Sequence, residues 1–382
     1  MKRILDTGGS GFIGSLFGQN LKDCEEKGFK YMNRYLIVYG TRPEAIKLKP
    51  LIKEMSKEGL DYEVVFTGQQ IDLAGGLKND HDFSIFSHIE ECNGARDRLN
   101  ELLERLLKNF RYLLKSKFTH VIVQGDTASA YAGALAAFHR KIPIIHIEAG
   151  LRTYERDPFP EEFYRRSISL MADYHFCPTS QNESNIIEEF VRGERHVVGN
   201  TGLDGLDNSN VTCNNEILVT FHRRENEKGA VWWGDELHRI VIDNPDYDFV
   251  IVGHPNETHT DFRVGMNYCL MSDDYKQPSN MKFIPPLNYK EMTERLKTCR
   301  LVITDSGGIS EEMAFFGKRA LICRSSTERS EGLENHHLLC MRYEDLGRKW
   351  LDIIKLDPIV TSPCPFGDGK ASEKIVKILK DI

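Results

Sequence analysis

The sequence predicts an α/β protein built of two Rossmann-like, doubly wound domains that face a shared cleft. The first observation is the stretch from Thr119 to Glu162. There a β-branched run, His120 to Val123, gives way to an Ala-rich segment with apolar residues at helical spacing, Ala128 to Arg140, and then to a second β-branched run, Pro143 to Ile147. That is a parallel strand, helix, strand unit. The second observation is that the same alternation restarts after Thr201, and successive alternating halves mean two such domains. The third is length: 382 residues exceed one ordinary core and suit two or three domains at about 150 residues each.

Taken in order, the chain begins with an anomaly. Gly8, Gly11 and Gly14 follow a short apolar run with the spacing of a dinucleotide-binding turn, but the expected second strand ending in an acid about 20 residues on is missing. Residues 1–34 are therefore read as an appendage that binds no NAD. Tyr35 to Tyr39 is the first strand of the main body, and Gly40-Thr41-Arg42-Pro43-Glu44 its loop, with Pro43 suited to the first turn of the helix through Ile46, Leu48, Leu51 and Ile52. Tyr62 to Phe66 is the next strand, and Leu99, Leu102, Leu103, Leu106, Leu107, Phe110, Leu113 and Leu114 mark the apolar stripe of a helix. A short helix through Ile168 to Ala172 and strands at His175 to Cys177 and His196 to Val198 complete the first half, and Gly199-Asn200-Thr201-Gly202 reads as the crossing. In the second half, strands at Ile217 to Thr220, Phe249 to Val252, Leu301 to Thr304 and Arg319 to Cys323 alternate with a helix at Ile309 to Phe316, and Asp261 to Asn280 is a polar excursion.

Composition excludes several classes. The chain is 40% hydrophobic and 28% charged with a net charge of −7, which argues against nucleic-acid or membrane-surface binding. No apolar run approaches the roughly 20 residues needed to cross a bilayer, and a signal peptide's apolar core is missing, so a cytoplasmic location is expected. Nine cysteines without CxxC spacing suit reduced thiols better than disulfides or zinc, and no metal is expected.

The chemistry-bearing residues cluster after strands. Asp126 and Glu148 each follow a strand, where ligands of parallel sheets bind, and Glu161 and Glu162 follow on a Pro-bounded loop. An Asp here also serves as a helix cap, whereas Glu148, ahead of Ala-Gly, caps nothing obvious. Three acids converging on one cleft suggest proton chemistry. Asp305-Ser306-Gly307-Gly308 at a strand-to-helix turn is a ready anion site. Glu311 and Glu312 on the following helix complement its dipole or bind a ribose diol. His222, Arg223 and Arg224, with Thr327-Glu328-Arg329, add polar loops. The implied ligand is anionic at one end and worked on by carboxylates at the other, as a nucleoside diphosphate sugar would be.

With these residues in view, the chain resembles the non-hydrolysing UDP-N-acetylglucosamine 2-epimerases. The matching segments are GTRPEAIK at 40–47, TGQ at 67–69, GDT at 125–127, HIEAGLRT at 146–153, PFPEE at 158–162, GNT at 199–201, HRREN at 222–226, HPN at 254–256, TDSGGI at 304–309, TER at 327–329 and FGDGKAS at 366–372. The resemblance implies a GT-B-like pair of domains at 35–200 and 201–360, the second binding UDP, a C-terminal helix at 361–382 crossing back onto the first, and a homodimer. It implies epimerisation at carbon 2 of a UDP-sugar without NAD or any other cofactor. Asp126, Glu148 and Glu161 would be acid/base and cation-stabilising carboxylates, one raised in pKa by its neighbours. His222 and Arg42 would hold the diphosphate, Ser306 and Glu312 the phosphate and ribose. Lys47, Arg152, Arg223, Gly307, Gly308 and Arg329 would complete the binding set.

The chain departs from the family at Tyr164 (Asn), Ser310 (Gln) and Ser330 (Pro), and TGQ is followed by Gln70 and Ile71 with no PGQ near Ser87 to Asn93. Weak or absent allosteric activation is therefore expected. A hydrolysing 2-epimerase that releases N-acetylmannosamine and UDP, a related UDP-sugar 2-epimerase with a modified sugar, a GT-B glycosyltransferase and an inactive nucleotide-sugar-binding paralogue remain as alternatives.

Overall fold

The structure is a computed structural model that describes residues 33–69, 77, 79–83, 95–115, 118–221, 226, 229–253, 278–333 and 335–382. The turn at Gly8, the segments tied to allosteric activation at 70–71 and 87–93, and His222, Arg223 and Arg224 lie outside these residues, as does most of the polar excursion.

Among the described residues, the first sheet has seven strands: β1 (Arg34–Tyr39), β2 (Asp61–Phe66), β3 (His81–Asp82), β4 (His120–Gln124), β5 (Ile144–Ile147), β6 (Tyr174–Cys177) and β7 (Glu194–Val197). Their order is β3-β2-β1-β4-β5-β6-β7 and every pairing is parallel. Leu36, Ile37, Val38, Val121, Ile122 and Val123 are all fully buried, because helices cover both faces of the central strands and a continuous apolar run is the sequence form of that environment. On one face α2 (Ala95–Leu113) and α3 (Ala128–His139) pack through Leu102, Leu106, Phe110 and a row of alanines. α1 (Arg42–Lys57) covers the other with Ala45, Leu48, Leu51 and Met55. α4 (Glu161–Met171) and α5 (Ser180–Glu188) follow β5 and β6. The strand order reverses between β1 and β4, so a crevice opens beyond their carboxyl ends, next to Gly40 and Asp126.

The second sheet is also parallel throughout, in the order β10-β9-β8-β11-β12-β13. It comprises β8 (Glu216–Thr220), β9 (Asp248–Val252), β10 (Met281–Ile284), β11 (Leu301–Thr304), β12 (Arg319–Cys323) and β13 (His337–Cys340), with helices α6 (Ala230–Asp243), α7 (Tyr289–Thr298), α8 (Gly307–Phe315) and α9 (Leu346–Ile354). Its reversal lies between β8 and β11, so both sheets present a crevice and the expected α/β fold class holds. Several of these elements escaped the sequence reading for identifiable reasons. β10 and β13 are edge strands in which at least two of four residues are not buried, so neither forms a continuous buried run, and α7 buries Leu296 and Lys297 within an otherwise polar run. Among the described residues, no helix is long and apolar enough to cross a membrane.

After α9 the chain returns to the first sheet, where α10 (Ala371–Leu379) places Ile375, Val376 and Leu379 in the core beneath α1. Asp204 accepts from the Ala371 and Ser372 amides at 2.9 and 2.6 Å, satisfying the open N–H groups of that helix start. The outgoing and returning chains cross at two glycines. Gly199 has φ +95° and Gly367 φ +120°, and the Asn200 amide donates to the Phe366 carbonyl at 2.8 Å. A Cβ on Gly367 would lie 2.8 Å from the Gly199 Cα, a backbone contact that no side-chain rotation relieves. Gly367→Ala is therefore expected to destabilise by about 1–3 kcal/mol, read as a lowered denaturant midpoint, while Gly205→Ala, at φ +81° with open space around it, carries the backbone strain alone and should cost less.

Candidate active site

β5 delivers Glu148 directly into the crevice, in the left-handed region at φ +64°. Few non-glycine residues hold that backbone, and when they do the surroundings impose it. The surroundings here are five side chains and a glycine. Lys47 Nζ reaches both Glu148 oxygens, at 2.5 and 2.7 Å, and Gln124 Nε2 donates to one of them. Asn200 Nδ2 donates at 3.3 Å and Arg329 Nη2, from the second lobe, at 3.4 Å. Gly125, at φ +66°, lies beneath, where an added Cβ would sit 3.5 Å from Glu148 Oε2. His146, fully buried, donates from Nε2 to the Gly125 carbonyl at 2.8 Å. Burial holds its pKa down to about 3, so a neutral ring fixes that loop.

Burial alone would push the Glu148 carboxyl up, but Lys47, Arg329 and Arg165 together outweigh it and hold it below the ordinary carboxylate value. Glu148 is thus a fixed anion, and the expectation of a raised pKa does not apply to it. The carboxyls raised by burial among the described residues lie elsewhere, at Glu44, Asp204, Glu311 and Glu312.

Asp126, beyond β4, accepts from Arg165 Nε at 2.8 Å and from its Nη2. The same guanidinium donates to Glu162 at 3.2 Å, and Glu162 also takes the Thr153 and Tyr154 amides at 3.1 and 3.2 Å. So Arg165, 4% exposed, gathers Asp126 with Glu162, and its charge extends to Glu148. Glu161 is the first residue of α4 and half-buried. Neighbouring residues of a helix point about 100° apart, so the acidic pair divides: Glu162 anchors the loop, and Glu161 turns away from it with its charge near Tyr164. Tyr164 lies on the inner side of α4, stacked on Tyr131 at 4.8 Å.

From the second lobe comes the turn after β11. Ser306 caps α8, its Oγ accepting from the Ile309 amide at 3.4 Å. An added Cβ at Gly308 would meet nothing within 4 Å, whereas one at Gly307 would strike the Arg329 guanidinium at 2.5 Å. Only glycine lets Arg329 lie flat on this turn. Arg329 donates to Glu311 at 2.6 Å and to Glu328, as well as to Glu148, and Arg324 donates to Glu328 at 2.9 Å. Of the three carboxylates that share Arg329, Glu148 is the one across the cleft, and it keeps its charge because it also has Lys47. Glu311 is pushed up by burial and, further, by the Glu148 charge. Asn226, the described end of the HRREN segment, bridges Asp305 and the Cys323 carbonyl, both at 3.1 Å.

The structure thus brings together Asp126, Glu148, Lys47 and Arg329, with Ser306 and Gly307 alongside. Arg42 occupies the first position of α1, half-buried at the crevice. Arg152 does not join them. Its side chain is fully buried inside the first lobe, donating to Glu189 at 3.0 and 2.8 Å, to Ser169 at 3.1 Å and to the Leu151 carbonyl at 2.8 Å. The sequence reading missed Gln124, Asn200 and the anchoring role of Arg165. Each lies within or beside a segment already singled out, but which neighbour each would meet is a tertiary fact.

A family model described as UDP-N-acetylglucosamine 2-epimerase matches residues 53–380. The chain belongs to the UDP-N-acetylglucosamine 2-epimerase family. A UDP-N-acetylglucosamine 2-epimerase of Campylobacter jejuni is 34% identical over 387 residues, covering 91% of this chain and 97% of that one. One of Bacillus subtilis is 32% identical over 376 residues, covering 91% and 94%. The crystal structure of the UDP-GlcNAc 2-epimerase of Neisseria meningitidis bound to UDP-GlcNAc is similar at a TM-score of 0.79 and 30% identity, covering 91% of this chain and 100% of that one. The family's fold is GT-B-like, in agreement with the two facing sheets. Among the described residues no cluster of His, Cys, Asp or Glu could hold a metal ion.

Two outcomes follow from the electrostatics. Arg329→Ala would leave Glu148, Glu311 and Glu328 without their shared cation, and a loss of about 3–5 kcal/mol in unfolding free energy is expected, with Arg324→Ala, which removes one partner of Glu328, as a milder comparison. Glu312 is pushed up to about 8, by burial first and by the Glu311 charge second, against a lowering hydrogen bond with Tyr289. The folded protein then retains a proton that the unfolded chain has lost above its ordinary value of 4.5, so this group's contribution to stability falls as pH rises through that window. Melting curves of Glu312→Gln and the parent should therefore diverge in the variant's favour between pH 5 and pH 8.5.

Proposed function

We propose that the chain interconverts UDP-N-acetylglucosamine and UDP-N-acetylmannosamine by elimination and re-addition of UDP, holding both fragments in the cleft, and that it works as a homodimer. The observation that carries this reading is the pairing across the cleft. Arg329, packed on the Gly307 anion turn, reaches Glu148, which stands one strand away from Asp126. A substrate with its diphosphate on that turn would set its sugar against the acids.

The hydrogen on carbon 2 is not beside a carbonyl and is a poor acid. Breaking the bond between carbon 1 and the diphosphate oxygen, with the electron pair leaving on UDP, gives carbon 1 oxocarbenium character and acidifies its neighbour. A carboxylate then takes the proton, a double bond forms between carbons 1 and 2, and 2-acetamidoglucal results. Returning a proton to the opposite face of carbon 2 while UDP re-adds to carbon 1 completes the epimerisation with no net oxidation. Glu148, kept ionised, faces the developing positive charge. Asp126 and Glu161 serve the two faces as acid and base, while Arg42 and His222 support the leaving diphosphate. Lys47 holds Glu148 in place.

Proton NMR of the protein with UDP-N-acetylglucosamine in D₂O tests this. Deuterium at carbon 2, with UDP-N-acetylmannosamine appearing and UDP still attached, is expected. Accumulation of free N-acetylmannosamine and UDP would replace the reading with a hydrolysing one, and no exchange would refute it. Asp126→Asn and Glu161→Gln should each lower turnover by roughly 10²–10⁴-fold, with UDP affinity by calorimetry nearly unchanged.

A further inference from the structure

Glu44 lies outside the machinery described so far, yet its side chain ties that machinery together. It is 2% exposed. Its Oε2 accepts from the Gly40 amide at 3.0 Å, the Thr41 amide at 2.8 Å and Thr41 Oγ1 at 2.7 Å. Its Oε1 accepts from Thr127 Oγ1 at 2.7 Å, 83 residues away. The first three bonds suffice to cap α1, and a carboxylate at this position of a helix is a common device for doing so. The fourth serves no capping purpose. It joins the loop after β1 to the loop after β4 on the two sides of the strand-order reversal.

The tie extends to a third loop. Ser129 donates from its amide and hydroxyl to Gln69 Oε1 at 3.1 and 2.7 Å, and its hydroxyl contacts Thr67 Oγ1 at 2.7 Å. A Cβ on Gly40 would fall 2.1 Å from Ser129 Oγ and 2.3 Å from Thr67 Oγ1, so the loops close on one another with no room for a side chain between them. Burial pushes the Glu44 carboxyl up to about 7, even though all its hydrogen bonds pull the other way. A buried acid is a costly way to cap a helix, and its value here is that one rigid group satisfies donors from two loops at once.

We infer that Glu44 is a positioning residue that holds the Asp126 loop in register with the Arg42 loop by accepting from Thr127 on one side and from Gly40 and Thr41 on the other. Arg42 directly follows Thr41 and Asp126 directly precedes Thr127, so a shift between these loops changes the distance from proton acceptor to leaving diphosphate. Displacements of about 1 Å in such geometry can lower a rate about 10²-fold. The inference rests on the proposed epimerase reading for its catalytic consequence, but not for the tie itself.

The test compares Glu44→Ala, Glu44→Gln, Thr127→Val, Thr127→Ser and the Glu44→Ala/Thr127→Val double variant. Amide hydrogen exchange over residues 125–130 is read beside kcat, KM and UDP affinity. Glu44→Ala should speed exchange there and lower kcat roughly 10²-fold, a larger factor than any accompanying loss of UDP affinity, which Arg42 shares with the second lobe. Glu44→Gln should restore both, since its carbonyl can take the three α1-side donors while its NH₂ donates to the Thr127 hydroxyl. Thr127→Ser should match the parent. The double variant should be no slower than Thr127→Val, in which the Glu44–Thr127 bond and the cap that Thr127 Oγ1 gives the Ala130 amide at 3.1 Å are already lost. Multiplied losses in the double variant, or parent-like exchange over 125–130 in Glu44→Ala, would overturn the inference. Should Glu44→Ala not fold, kcat and exchange at residues 125–128 in Thr127→Val against Thr127→Ser decide, with the Ala130 amide set aside because Thr127 Oγ1 caps it directly. If the parent protein does not epimerise, the functional reading fails, and the exchange comparison still decides whether Glu44 ties the loops.

Discussion

A single buried anion, Glu148, organises the two lobes. Its carboxylate is met by Lys47 from α1, Gln124 from β4, Asn200 from the crossing segment and Arg329 from the second lobe. Burying a charge is unfavourable unless partners compensate it, and here the compensation comes from four separate stretches of chain. Each is thereby held to the end of β5. Because Arg329 also binds Glu311 and Glu328 within its own lobe, the lobes meet through a cation shared between three carboxylates, and the contact at Glu148 is polar rather than an apolar seam. Such a contact can open in favour of another anion, since a diphosphate offers Arg329 the same kind of acceptor. An apolar seam would have no such alternative partner.

The surrounding fold explains why this point is so well controlled. Both sheets are parallel, and each reverses strand order at its centre, so the chain ends that carry functional groups face one another. The crossing at Gly199 and Gly367 brings the two connecting chains into backbone contact, and α10 then docks into the core beneath α1. The lobes are therefore joined near the floor of the cleft by two short, closely packed segments, and polar groups meet at its mouth. This arrangement couples the position of Asn200, which donates to Glu148 and caps the turn beyond it, to the seating of the C-terminal segment.

Division of labour among the acids follows from local environment rather than from residue type. Glu148 sits among cations and stays ionised. Glu162 is enclosed by two amides and Arg165, which makes it an anchor. Glu44 receives hydrogen bonds but no cation, and burial dominates. Asp126 shares Arg165 with Glu162 yet keeps about a quarter of its side chain open to solvent, 23%, so it is not enclosed as Glu162 is. Arg152 shows the same principle among the cations: four residues beyond Glu148, it faces inward and serves Glu189.

The architecture was legible in the sequence because hydrophobic periodicity is local. Fully buried parallel strands such as Leu36 to Val38 read as unbroken apolar runs, and the glycine-bearing loops after them mark where ligands approach. The same local signals picked out Asp126, Glu148 and the Ser306 turn. The edge strands β10 and β13 were invisible, since their partly buried residues make no continuous buried run and each gains its strand form from the one neighbour it pairs with. The roles of the charged residues were also beyond local reading. Whether Glu148 is a proton acceptor or a fixed anion, whether Glu161 or Glu162 turns inward, and whether Arg152 or Arg165 reaches the site depend on which charges the folded chain brings within a few ångströms. Sequence spacing supplies the groups, and only the tertiary structure sets their burial and partners, which is where their chemistry is decided.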